Sequence, residues 1–173
     1  ATEDALIDYF VSERQNYTIG NYLRTADDIS HRLVRNVVKY FNPKEINLLR
    51  IGVREMIINA IEHGNLNISF DEKSTETMSG NYMEFIAARQ QEPEHREKKV
   101  HIEFSLTPER AMYKITDMGE GFDHAEVIKK IKDKANSEML AHGRGITMAM
   151  NLFDEVMYNQ KGNQVLLIKK FAS

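Results

Sequence analysis

The chain contains no cysteine. That absence excludes a disulfide framework, a thiolate nucleophile and a cysteine-ligated metal site, and it fits a cytoplasmic protein. No apolar run approaches the roughly 18–20 residues that a membrane helix needs, and no signal-peptide pattern is visible. An excess of basic residues is missing too: 23 Lys and Arg stand against 26 Asp and Glu, a net charge of −3. Neither a nucleic-acid nor a membrane partner is therefore expected. Glycine is scarce, with nine in 173 residues, yet Gly119/Gly121 and Gly143/Gly145 are pairs spaced one residue apart. What is present is ordinary for a globular protein: 42% hydrophobic and 28% charged residues, in a chain long enough to bury a core. The expectation is one domain over 1–173. Because the chain begins with Ala, it is also expected to be a piece of a longer multidomain regulator.

Residues 17–23 are β-branched and aromatic and predict a strand. Thr25 or Asp27 is a candidate cap for a helix over 26–41, whose Leu33, Val34, Val37, Val38 and Phe41 follow the i, i+3, i+4 rule. After Asn42-Pro43 a second helix is predicted over 43–63, apolar nearly all round and hence central, with Gly64 as its stop. Residues 66–99 are polar and read as a surface insertion. One or two helices are expected there within 71–91, with Met78, Tyr82, Phe85 and Ile86 as an apolar stripe that Gly80 interrupts. Residues 100–106 alternate cleanly and pair with 111–117 as a hairpin. A charged stretch to His142, a helix over 145–153 and a closing hairpin of 155–158 with 164–171 follow. Helices followed by strands predict an α+β fold: a two-layer α/β sandwich with a mixed, mostly antiparallel sheet and helices on one face.

Three constellations carry chemistry. Glu55, Asn59 and His63 are spaced i, i+4, i+8 and share one face of the central helix. They are either satisfied by backbone and water at a solvent edge, or they form a site floor. In the second case a carboxylate can accept a proton and an amide oxygen can ligate a hard cation such as Mg²⁺. Asp117-Met118-Gly119-Glu120-Gly121-Phe122 ends a strand on an acid and two glycines. That is a plain turn, or a place where a carboxylate reads an exocyclic amine while backbone approaches a ligand. His142-Gly143-Arg144-Gly145-Ile146-Thr147 opens a helix. It is a glycine-bearing start without a ligand, or a phosphate cradle of free N–H groups with donors on Arg144 and Thr147. Asn59 and Asp117 are separated by 58 positions, and Asp117 and Gly143 by 26. In that order the three supply what an ATP–Mg²⁺ site needs.

These motifs resemble a known superfamily. Glu55-x-x-x-Asn59-Ala60-x-x-His63-Gly64 looks like the N-box of the GHKL (Bergerat) ATPases, Asp117-x-Gly119-x-Gly121-Phe122 like their G1 box, and Gly143-Arg144-Gly145 like their G2 box. The wording of 54–65 and of 145–156 is most similar to the anti-sigma-factor serine kinases, the RsbW-like group. The resemblance covers about 17–171, with 66–99 as the clear departure from compact members. It implies that Asn59 ligates Mg²⁺, that Asp117 hydrogen-bonds the adenine amino group with Gly121 close to the ring, and that Gly143, Arg144 and Gly145 meet the phosphates. His63, Gly119, Phe122, Ile146 and Thr147 are carried over as further ATP-binding positions. Glu55 would be the general base that activates a partner's serine or threonine hydroxyl, and 118–142 would be a lid. The family's last strands often carry Thr or Ser near the adenine, whereas Val165 to Ile168 are apolar here.

The function so implied is a protein serine/threonine kinase. It would phosphorylate a STAS-type anti-sigma-factor antagonist, bind a sigma factor or similar regulator, and pair as a homodimer. Two alternatives stay open. One is an ATP-binding module that switches partners without transferring phosphate. The other is a sensor histidine kinase catalytic domain with His31 as phosphoacceptor. His31 lacks a following Pro and lies only 24 residues before Glu55, which leaves no room for a dimerisation helix pair.

Overall fold

The computed structural model describes residues 6–132 and 144–172. Five strands form one sheet in the order β1-β2-β3-β5-β4: β1 Glu13–Ile19, β2 Val100–Leu106, β3 Arg110–Thr116, β4 Glu155–Tyr158 and β5 Gln164–Lys170. Every neighbouring pair is antiparallel, so the sheet is antiparallel throughout rather than mixed. The α+β expectation holds.

Period-2 alternation gives the sheet two different faces. Val100, Ile102, Phe104 and Leu106 of β2, and Ala111, Tyr113 and Ile115 of β3, are buried on one face. His101 and Glu103 point the other way, and Glu103 pairs with Lys114 across the strands at 3.1 Å. The described helices that cover the buried face are α1 Leu23–Val34, α2 Pro43–Asn59 and α6 Arg144–Leu152, with α2 packed between the other two. The short helices α3 Phe70–Met78, α4 Tyr82–Gln91 and α5 His124–Lys132 lie in the connections. No helix among the described residues is long and apolar enough to cross a membrane.

Three local expectations need correction. The first strand is Glu13–Ile19, not 17–23. It is an edge strand whose polar residues 13–16 are fixed by pairing with β2, from Glu13↔Leu106 to Ile19↔Val100, rather than by their own propensity. The following helix begins at Leu23 with no side-chain cap, so Thr25 and Asp27 lie inside it. Asp27 instead receives Arg54 Nε at 3.1 Å from α2, and at Val34 the helix gives way to a 3₁₀ turn over Arg35–Lys39. The 66–99 segment is more than a surface insertion. Leu66, Ile68 and Ile86 belong to the main core, while Met78 is 89% exposed and falls off the expected stripe.

Helix α2 starts as its sequence says. Asn42 accepts from Glu45 N–H, Glu45 accepts from Asn42 N–H, and Pro43 occupies the first turn. Leu49, Val53, Met56 and Ile57 bury its inward face. The core is keyed to the sheet by Tyr113, whose hydroxyl donates to Leu33 O at 3.0 Å across fully buried space. Burial pushes that phenol far above its usual range. Tyr113→Phe should lower unfolding stability by about 1 kcal/mol in urea denaturation, the ordinary net worth of one such bond. An unchanged midpoint would show that the bond contributes nothing.

Candidate functional site

A cleft with about 530 Å³ of empty space opens between α2, the start of α6 and the ends of β3 and β5. Its floor comes from α2 and the turn that continues it. Past Asn59 the backbone widens into a π turn over Ala60–Asn65 rather than stopping at Gly64. Such turns re-aim side chains and recur at functional sites. Here one presents His63 and Gly64 to the same space as Asn59 and Met56.

Gly64 was expected to end the helix, and its actual constraint is contact. A Cβ built on it would stand 2.4 Å from Asp117 Cγ. Gly119 is tighter still, because its Cβ would meet Gly64 O at 2.3 Å. The first and second motifs therefore touch backbone to carboxylate. Asp117 leaves β3 with its N–H on Asn163 O at 2.9 Å, and its Oδ1 accepts from Gly119 N–H at 2.8 Å. Burial pushes its carboxyl up to about 6, against the lowering effects of the Gly119 hydrogen bond and of the Lys161 and Lys98 charges. The loop is held from beneath. Met118 N–H donates to Asn65 Oδ1 at 2.7 Å, and buried Asn65 donates to Asn21 Oδ1 at 2.8 Å. Asn21 in turn donates to Lys98 O at 3.0 Å.

His63 is fixed by Nδ1 on Ile68 O at 2.5 Å, and its ring lies 4.0 Å from that of Phe70. Burial lowers its pKa to about 4, so the imidazole is neutral at physiological pH. Asn59 faces the third motif, since a Cβ on Gly145 would sit 2.9 Å from Asn59 Nδ2. Ile146 lines the cleft, Arg144 is exposed, and Thr147 Oγ1 is buried without a hydrogen-bond partner among protein atoms. Gly143 and residues 133–142 of the expected lid, His142 among them, lie outside the described residues.

The structure thus brings Asn59, His63, Asp117, Gly121, Phe122 and Ile146 into one cleft lining. Gly119 and Gly145 stand directly behind it against Gly64 and Asn59. Glu55 is not part of the lining. It lies one turn ahead of Asn59, with its side chain 32% exposed and 3.2 Å from Arg54 Nη1. His31 is exposed on α1, 3.8 Å from Asp27, and does not line the cleft.

Several lining residues were missed in the sequence. Tyr158, Asn163 and Gln164 close the cleft beside Asp117. Asn163 and Gln164 put polar groups just ahead of the apolar run at 165–168. Tyr158 sits in an aromatic group with Phe122 at 5.2 Å and His124 at 5.1 Å. Burial and the Asp117 charge both raise its phenol pKa. Gly162, with φ +84°, packs where a Cβ would meet Phe122 O at 2.3 Å. The turn signal Asn159-x-x-Gly162 could have found this group. Nothing local marks Phe70.

The donor set suits a nucleotide with Mg²⁺. It joins a buried carboxylate acceptor, an apolar slot, an amide oxygen for a hard cation and an unpartnered hydroxyl near a helix N-terminus. No curated protein matches the chain. A family model described as histidine kinase-like ATPase domain matches residues 86–169, a span that holds Asp117, Gly119, Gly121 and the start of α6 but begins after α2. With the five-stranded antiparallel sheet, which is consistent with a Bergerat ATPase fold, this match supports a GHKL-type ATPase assignment and ATP as the nucleotide.

Proposed function

We propose that the chain is an ATP-dependent protein serine/threonine kinase of the anti-sigma-factor type. It would act on a STAS-type antagonist and bind a sigma factor or similar regulator. The observation that carries this reading is the approach of Gly145 to Asn59 on the same helical stretch that meets Asp117 at Gly64. Asn59 and Gly64 are five residues apart on the continuous stretch formed by α2 and its π turn. Base and phosphates of one nucleotide can therefore be met by one continuous floor.

In this reading Asp117 accepts from the adenine amino group, and the first N–H groups of α6 with Thr147 and Arg144 meet the phosphates. Mg²⁺ held by Asn59 Oδ1 and phosphate oxygens would supply charge neutralisation. Glu55, one turn ahead of Asn59 with its side chain 32% exposed, would meet a partner's hydroxyl from solvent. It takes the proton as that oxygen attacks the γ-phosphorus and ADP leaves. One observation favours the second reading, a partner switch without transfer: Glu55 lies outside the cleft lining and is paired with Arg54. Incubation with labelled ATP and Mg²⁺ beside STAS-type proteins separates the two. Label on a partner serine or threonine supports the kinase. Nucleotide-dependent capture of the partner with no phosphoprotein supports the switch.

The Asp117 carboxyl sets a pH dependence. Its ionised form accepts the amine hydrogen bond, and it is protonated as pH falls through about 6. ATP affinity should therefore decline below that pH by more than the nucleotide's own titration explains. In Asp117→Asn, which keeps an acceptor that does not titrate, the extra decline should vanish. Parallel profiles for the two proteins, followed by calorimetry from pH 5 to 8, would remove Asp117 from the base contact.

A further inference from the structure

We propose that Phe70 is a wall of the base subsite, so that the 66–99 segment is a built part of the nucleotide cleft. This rests on the ATP reading above and deepens it. Phe70 opens α3, and it is the one residue of 66–99 among those lining the cleft. Its close neighbours Leu66 and Ile68 are 0% and 1% exposed, whereas Phe70 keeps part of its ring uncovered toward the cleft. A half-covered aromatic, already lying 4.0 Å from the neutral His63 ring, offers a flat apolar face to a purine.

The ring is also held in place before any ligand arrives. Ser69 caps α3, accepting from Glu72 N–H at 3.0 Å and donating its own N–H to Glu72 Oε2 at 2.8 Å. One turn on, Lys73 Nζ reaches buried Glu62 Oε1 at 2.6 Å, and Tyr82 of α4 hydrogen-bonds the other oxygen. Glu62 belongs to the π turn that also carries His63 and Gly64. Arg89 of α4 closes the segment on Leu66 O at 3.0 Å. The same turn therefore fixes the floor of the cleft and, through Glu62, the helix that bears Phe70. Holding the ring in advance lowers the ordering cost of binding a base.

The chain has no tryptophan, so Phe70→Trp places a single reporter at this wall. With the full chain, ADP should bind both wild type and Phe70→Trp saturably by calorimetry. The tryptophan emission of the variant should change along the same binding curve. Phe70→Ala should weaken ADP by about tenfold or more, the scale of losing one aromatic–base stack. If Phe70→Ala does not fold, Phe70→Leu keeps the bulk, removes the flat ring and should weaken ADP in the same direction. Unchanged ADP affinity in the folded variant, or emission that stays constant through saturation, overturns the proposal while the ATP reading stands. Wild type that binds no ADP overturns both.

Discussion

Glu55→Gln should bind ATP as wild type does and transfer phosphate to its partner about 10²- to 10⁴-fold more slowly, the usual contribution of a positioned general base. The amide keeps the shape of the carboxylate and can still accept from Arg54, whose Nη1 stands 3.2 Å from Glu55 Oε1. It cannot take a proton at neutral pH. Because Glu55 lies outside the cleft lining, nucleotide affinity has no reason to change. This separation of binding from transfer is the signature of the role. Single-turnover transfer beside calorimetric ATP binding reads both. Full transfer by Glu55→Gln would show that positioning and charge alone do the work, and equal loss of binding and transfer would make Glu55 a structural residue.

Gly119→Ala should cost more on the binding side. The added methyl would stand 2.3 Å from Gly64 O and 2.6 Å from Gly64 C. Both are backbone atoms of the π turn, which is tied down by Glu62, His63 and Asn65. No side chain can rotate away to make room, so the loop must move. Asp117 moves with it, because Gly119 N–H is the donor that holds Asp117 Oδ1. The expected result is about 1–3 kcal/mol less stability, typical of forced overpacking, together with ATP affinity at least about tenfold weaker, since every 1.4 kcal/mol is tenfold. Gly80→Ala, with φ +79° but nothing within 4 Å, is the control: it carries backbone strain without that clash and should leave ATP affinity unchanged. Wild-type affinity in a folded Gly119→Ala protein would separate the loop from the site.

These features were legible in the sequence to different degrees, for physical reasons. The β2–β3 hairpin and α2 could be read because their signals are local. Alternation at 100–106 and the Asn42-Pro43 start of α2 lie within a few residues. The edge strand β1 could not, because its polar residues gain their conformation from β2. The three motifs were visible as residue types, and the structure adds why the glycines are there. Gly64 reads as a helix stop from sequence, yet its backbone must pass the Asp117 carboxylate. Phe70 was invisible as a site residue because only tertiary folding brings it against His63 in the cleft. The coupling of 66–99 to the cleft was hidden for the same reason, since Glu62 looks like one more charge on a helix until Lys73 and Tyr82 close on it.

The central claim is that this cleft binds one ATP, with its base on Asp117 and its phosphates at the start of α6. Calorimetric titration of the whole chain with ATP and Mg²⁺, repeated on Asp117→Ala, tests it most directly. The account predicts saturable one-to-one binding in wild type and at least about tenfold weaker binding once the buried acceptor is gone. No saturable heat in wild type, or the same affinity in both proteins, would contradict it.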